Sequence, residues 1–189
     1  FEPDGPNDEI PARMESDATN KVMMESSRGY VVFYEALKDA LLLKNGIVKG
    51  YLEEQDGSRR IRMEAVDPLS FYVGDDQNCI LLDDYRTSFC AERKEYTRGQ
   101  LVDMGLDREK IERIPPGDSD ATVITAVRNR QGTSSRNTQA GWALESVTIW
   151  ECYARLAKDD EASETQLYRC LLGGQELLLK EPADYLPYA

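Results

Sequence analysis

The 189-residue sequence contains no histidine. That removes the usual base for a Ser or Cys nucleophile and any zinc set that needs an imidazole ligand. A Ser–Lys arrangement needs no histidine, but no spacing points to one. The four cysteines, Cys79, Cys90, Cys152 and Cys170, show no C-x-x-C spacing, and the expectation is that they are small buried hydrophobes in a reduced compartment. A disulfide between Cys152 and Cys170 across a hairpin is the alternative, disfavoured where no signal-peptide pattern precedes it. Neither G-x-x-x-x-G-K-[ST] nor G-x-G-x-x-G occurs, so nothing here reads as a nucleotide motor. No apolar run approaches the roughly 20 residues that cross a bilayer. Positive charge is scarce as well, with 23 Lys and Arg against 35 Asp and Glu and a net charge of −12. Gripping a phosphate backbone takes clustered bases that displace counterions. Arg128, Arg130 and Arg136 make only a loose patch.

What remains is an ordinary globular balance, 41% hydrophobic and 31% charged, in a chain long enough to bury one sizeable core, or a core with a satellite lobe. Residues 1–10 read as a flexible tail and 11–189 as a single α+β domain, with a helical part over 11–45 and a mainly β part over 46–189. The absence of an initial Met and the Pro/Gly/Asp-rich start read as a cut within a longer chain. Pro11 to Ser27 is the first expected helix, with Pro at a helix start and Met14, Ala18, Val22 and Met23 in one stripe. The second helix places Tyr30, Phe33, Tyr34, Leu37, Ala40 and Leu41 on a buried face, with Glu35, Lys38 and Asp39 opposite. Asn45-Gly46 supplies the left-handed stop. Ile47 to Glu54 and Arg59 to Val66 are strands of a hairpin turned by Asp56-Gly57, with Ile61, Met63 and Ala65 on one side and Arg60, Arg62 and Glu64 on the other. The fold class is therefore α+β: an N-terminal helix pair on antiparallel hairpins and a meander, with short helices between strands.

Further along, Pro68 forces an extended entry to a short strand ending at Val73. Cys79 to Asp84 reads as one helical turn and Thr87 to Tyr96 as a strand. Thr97 caps a helix through Met104 that Gly105 closes, and Asp107 caps another through Glu112. Residues 115–144 lack periodicity; Asp120 can cap a helix over Ala121 to Asn129, and Gln131 to Gly141 is expected to be mobile. Ser146 to Leu156 is a strand with Trp150, Cys152, Ala154 and Leu156 on one face. After an acidic turn over Lys158 to Glu164 come strands Gln166 to Leu172 and Gln175 to Lys180, and Pro182 to Ala189 is an irregular exit.

Acidic pairs occur at Asp75-Asp76, Asp83-Asp84 and Asp159-Asp160-Glu161. Acid/base catalysis needs two carboxylates at a set separation in a cleft, whereas adjacent acids in turns follow from solvation alone. No stretch follows the D-x-[DN]-x-[DN]-G order of a calcium loop. Catalytic, cofactor-binding and metal-ligating residues are accordingly assigned to none. Trp150 belongs to a core face, and Trp142 is the better candidate for a contact between subunits. Arg59, Arg60 and Arg62, beside Glu53, Glu54 and Glu64, form either cross-strand charge pairs on a wet face or half of a subunit interface.

The order of segments resembles the portal protein of short-tailed, double-stranded DNA bacteriophages and prophages. A helix is followed by NGIVKGYLEE at Asn45 to Glu54, a hairpin, VDPLSFYV at Val66 to Val73, an acidic turn, AERKEYTRGQLVDMG at Ala91 to Gly105, and IWECYARL at Ile149 to Leu156. The matching segments cover most of Asn20 to Leu179, while Gly50, Leu52 and Asp67-Pro68 depart from the pattern as a distant member would. The resemblance implies a non-enzymatic structural subunit of a homo-oligomeric, dodecameric ring at a virion vertex, made in the bacterial cytoplasm. It implies terminase, capsid and tail or adaptor proteins as partners, no membrane and no cofactor. Double-stranded DNA would pass through the channel without specific binding, and this stretch would be the wing region. The rival reading is an acidic hydrolase or carbohydrate-binding domain that uses loop carboxylates.

Overall fold

The computed structural model describes residues 5, 9–55, 57–74, 87–116, 141–158 and 164–189. The expected turn over Cys79–Asp84, the helix capped by Asp120, the segment 131–140, the three arginines from Arg128 to Arg136, and all three acidic pairs lie outside them. Helices and antiparallel sheets make an α+β chain that divides into two compact units. The hairpin groups with the helices rather than with the later strands.

In the first unit, α1 (Glu9–Asn20) runs into a π-helical turn at Lys21–Ser26, and α2 (Gly29–Leu43) follows. Pro11 sits in the first turn of α1, where its missing N–H costs nothing. The expected stripe is only partly realised. Ala12 is buried with Ser16 and Met23 half-buried, while Met14 and Val22 face out. The wider π turn shifts the helical phase between Ala18 and Val22, so one 3.6-residue count does not carry through it.

The buried face of α2 differs from expectation in a more consequential way. Gly29, Val32, Ala36 and Asp39 point inward, while Tyr30, Tyr34, Leu37 and Leu41 point out. The reason is close approach. At Gly46, which follows the helix, a Cβ would lie 2.3 Å from the Ala36 carbonyl oxygen. The side of α2 that turns inward is therefore the side with small residues. Gly46 is kept for room and Lys44, at φ 67°, takes the left-handed stop.

Strands β1 (Ile47–Gln55) and β2 (Ser58–Val66) pair in one uninterrupted register from Ile47↔Val66 to Gln55↔Ser58. The Ser27 hydroxyl donates to the Ile61 carbonyl at 2.6 Å, fixing the helix–helix corner to β2. The supposed irregular exit is ordered at its end. Residues 187–189 add to the outer edge of β1, with Val48 N–H donating to Ala189 O and Ala189 N–H to Val48 O, both at 2.9 Å, and Gly50 N–H to Pro187 O at 2.7 Å. Tyr188 packs on Phe71 with ring centroids 4.8 Å apart. It also covers the Lys49 ammonium at 5.1 Å, so that this buried cation lies against an aromatic face.

The second unit is a sheet in the order β3-β4-β5-β6-β7, from β3 (Phe71–Val73), whose first residue groups with the other unit, through β4 (Phe89–Thr97), β5 (Ser146–Ala157), β6 (Thr165–Gly173) and β7 (Glu176–Pro182). Strands β4 to β7 form an antiparallel meander with a bulge at Leu171/Leu172. Helices α3 (Arg98–Asp103) and α4 (Arg108–Arg113) follow β4. Their Leu101 and Ile111, with Ile114, pack on Val147, Ile149, Leu171 and Leu178. Both expected caps are present. Thr97 and Gln100 exchange side-chain and backbone bonds as a capping box, and Asp107 accepts from the Glu109 N–H at 3.0 Å. Gly173 makes room for this core, since a Cβ there would stand 2.6 Å from Ile114 Cδ1.

Replacing Tyr188 by Ala deletes a ring that is 3% exposed and should cost the first unit about 3 kcal/mol, the usual loss for a buried aromatic. Urea unfolding followed by circular dichroism measures it; a loss below about 1 kcal/mol would mean that residues 187–189 do not hold β1.

Candidate functional site

The hairpin arginines fall on two faces, as strand alternation requires. Arg60 and Arg62 share one face with their register partners Glu53 and Tyr51, and Arg59 lies on the other with Ile61 and Leu52. Arg62 Nε donates to Glu53 Oε2 at 2.7 Å with both side chains 39% exposed. The hydrogen bond to Glu53 and then its charge raise the Arg62 pKa. Arg59 approaches Glu54 only to 4.0 Å, both well exposed, so that pair contributes little. Three adjacent arginines thus make one fixed ion pair and two outward charges, not a single patch.

Trp142, on a 3-10 turn (Trp142–Leu144) that leads into β5, is half-buried against the core beneath α3 and α4. The guanidinium of Arg108 lies 4.8 Å from its ring centre and that of Arg98 5.9 Å. Its face is therefore used within its own unit. Trp150 shares a face with Cys152 as expected and meets Tyr72 at 5.1 Å between ring centres.

Two charge clusters were not foreseen from the sequence. Arg98, 4% exposed, donates through its two terminal nitrogens to the carbonyls of Ile111 and Ile114, and through Nε to Glu145 at 2.6 Å. On the sheet, directly opposed residues bring Glu92 and Glu151 together. Lys94 reaches them at 3.2 and 3.7 Å, and Arg169 bridges Glu151 and Glu181 at 2.8 Å each. Burial opposes the charge on Arg169, but the Glu151 charge and the bonds to both carboxylates outweigh it and raise its pKa. Burial, then the Glu151 charge, raises the Tyr153 phenol.

Cys152 and Cys170 are in register across β5 and β6, buried and unbridged. Burial, with the neighbouring Cys170 and Glu151, pushes the Cys152 thiol up to about 11. At neutral pH it is protonated and a poor nucleophile. Among the described residues no group of three or more His, Cys, Asp or Glu is placed to hold a metal ion. These charges are cross-braces between the strands and helix ends of the second unit.

The feature that sequence reasoning turned the wrong way is the outer side of α2. Tyr30, Val31, Tyr34, Leu37, Leu41 and Leu42 are each between 52% and 86% exposed. A second count from Gly29 through Val32, Ala36 and Leu43 was equally periodic and pointed to the true inner face. Large exposed apolar surface of this kind marks a site of contact.

A family model described as "Phage SU10 portal protein" matches residues 1–58 and 53–189, so the two matched spans together take in the entire chain. No curated protein matches it.

Arg98→Ala should destabilise the second unit by about 2 kcal/mol, because two carbonyls at the end of α4 lose their donor. Arg59→Ala, which removes an exposed and loosely paired charge, should change stability by less than about 0.5 kcal/mol. Denaturant unfolding of both variants checks the ordering, and equal losses would contradict it.

Proposed function

The chain belongs to the phage SU10 portal protein family, and on that premise we propose that it forms the wing region of a dodecameric portal ring, the vertex through which double-stranded DNA is packaged and ejected. The coarser role, that of a structural part of a phage portal, follows from the family itself. The observation that carries the reading is the family match over the whole chain; the finer part adds to it what the order of segments in the sequence implies by its resemblance to portal proteins.

Charge supports a passive relation to DNA. A net −12 repels phosphates, and a conduit works better when the cargo does not adhere. The braced ionisable groups of the sheet support a non-enzymatic role, since Glu92, Lys94, Glu151, Arg169 and Glu181 pair with one another across it. The energy for moving DNA then comes from a terminase, with the capsid and a tail or adaptor protein as further partners in the virion. The exposed Arg59 and Arg60 at the hairpin end are offered as contacts with such neighbours; Arg62 and Trp142, already engaged within the chain, would join them only by extending their present contacts. No described helix is long and apolar enough to cross a membrane.

Negative-stain imaging of the full-length polypeptide that carries this sequence tests the proposal. Central-holed rings with twelvefold averages are expected, and uniformly small, monomeric particles would overturn it.

A further inference from the structure

Two cysteines face each other on neighbouring strands. Cys152 on β5 and Cys170 on β6 are register partners, both buried and unbridged. The Arg155 N–H donates to the Ser88 carbonyl on the β4 side, and the Ala183 N–H to the Leu167 carbonyl on the β7 side. Alternation along β5 and β6 then turns the backbone groups of Cys152 and Cys170 towards each other as a hydrogen-bonded pair. Such a pair has its Cα atoms about 5.5 Å apart, within the span of a disulfide, and both side chains on one face. It is not the face that α3 and α4 cover, to which Val147, Ile149 and Leu171 point. The two thiols pack with Ala91 among Trp150, Tyr168 and Leu172, which are themselves only partly buried.

We propose that Cys152 and Cys170 form a latent disulfide, open while the chain is made and closed once the finished particle lies outside the host. The timing rests on the portal reading, whereas the bridge rests on the register alone. A peroxide is the oxidant. One sulfur attacks a peroxide oxygen and becomes a sulfenic acid as water leaves, and the second sulfur displaces another water to make the S–S bond. The two thiols give up two electrons and two protons, and hydrogen peroxide becomes two waters. Two properties keep the pair open in a reducing compartment. Burial raises the pKa of both thiols, which leaves little thiolate near neutral pH and makes oxidation slow. Opposed Cβ atoms on a sheet stand about 4.5–5.5 Å apart, and a disulfide draws them to about 4 Å. That strain favours reduction wherever a glutathione pool is present. Outside the cell no such pool opposes closure, and the bond ties β5 to β6 within the sheet.

The test treats the full-length polypeptide with hydrogen peroxide, alkylates the remaining thiols and maps unreduced peptides by mass spectrometry. A peptide pair joined through Cys152 and Cys170 and released by dithiothreitol is expected, with a melting temperature raised by roughly 3–8 °C. Cys170→Ala should show neither change. Both thiols recovered alkylated or as sulfinic acids, or a bridge that lowers the melting temperature, would overturn the inference. Timing is read by trapping thiols in host cells before lysis and in purified particles, where the pair should be reduced and bridged respectively. Particles that contain the chain with both thiols reduced would overturn the inference and leave the portal reading standing. Particles without the chain would remove the portal reading, and the peroxide map would still decide the bridge.

Discussion

A single buried guanidinium ties the second unit together. Arg98 opens α3 directly after β4, and its planar fork reaches the carbonyls that end α4 as well as the carboxylate of Glu145, which stands at the mouth of β5. Taking a cation out of water costs several kcal/mol unless partners replace the lost hydration. Here two carbonyls and one carboxylate do so. A lysine could not, because a point charge on a flexible stem cannot address three acceptors in fixed directions. With that junction set, Leu101, Ile111 and Ile114 come down on Val147 and Ile149 and complete a core with almost no exposure.

Local chemistry was legible in the sequence and long-range choice was not. The hairpin register followed from alternation and Asp56-Gly57, and the caps at Thr97 and Asp107 followed from residues within three or four positions of each other. The inner side of α2 did not, since its sequence satisfies a helical period twice and only the approach of Gly46 to the Ala36 carbonyl decides between them. Counting large side chains selected the wrong stripe; counting small ones selects the right one. Arg98, the Glu151–Arg169 brace and the docking of residues 187–189 share another property. Each joins positions more than a dozen residues apart, where no local pattern leaves a trace. Of the candidate residues the arginines were named from the sequence, but the broad exposed apolar face of α2 was placed in the core.

Charge within the described residues of this strongly acidic chain is organised in braces. On the sheet, acids are braced by bases, as with Lys94 between the buried Glu92 and Glu151 and Arg169 between Glu151 and the more exposed Glu181. The chain as a whole keeps a net charge of −12, an excess that opposes the approach of like-charged bodies. The outer side of α2, by contrast, exposes large apolar side chains on a helix rather than on a loop.

The edge strand at residues 187–189 also imposes a timetable. Synthesis runs from the N-terminus, and domains generally fold as units while the chain emerges. Helices α1 and α2 and the hairpin are made early, yet the outer edge of β1 and the face of Lys49 stay uncovered until Ala189 has left the ribosome. The last strand of the meander, β7, ends at Pro182, ahead of those residues. The edge of β1 is thus closed by residues that are made after every strand of the second unit, so the unit that begins the chain is completed last.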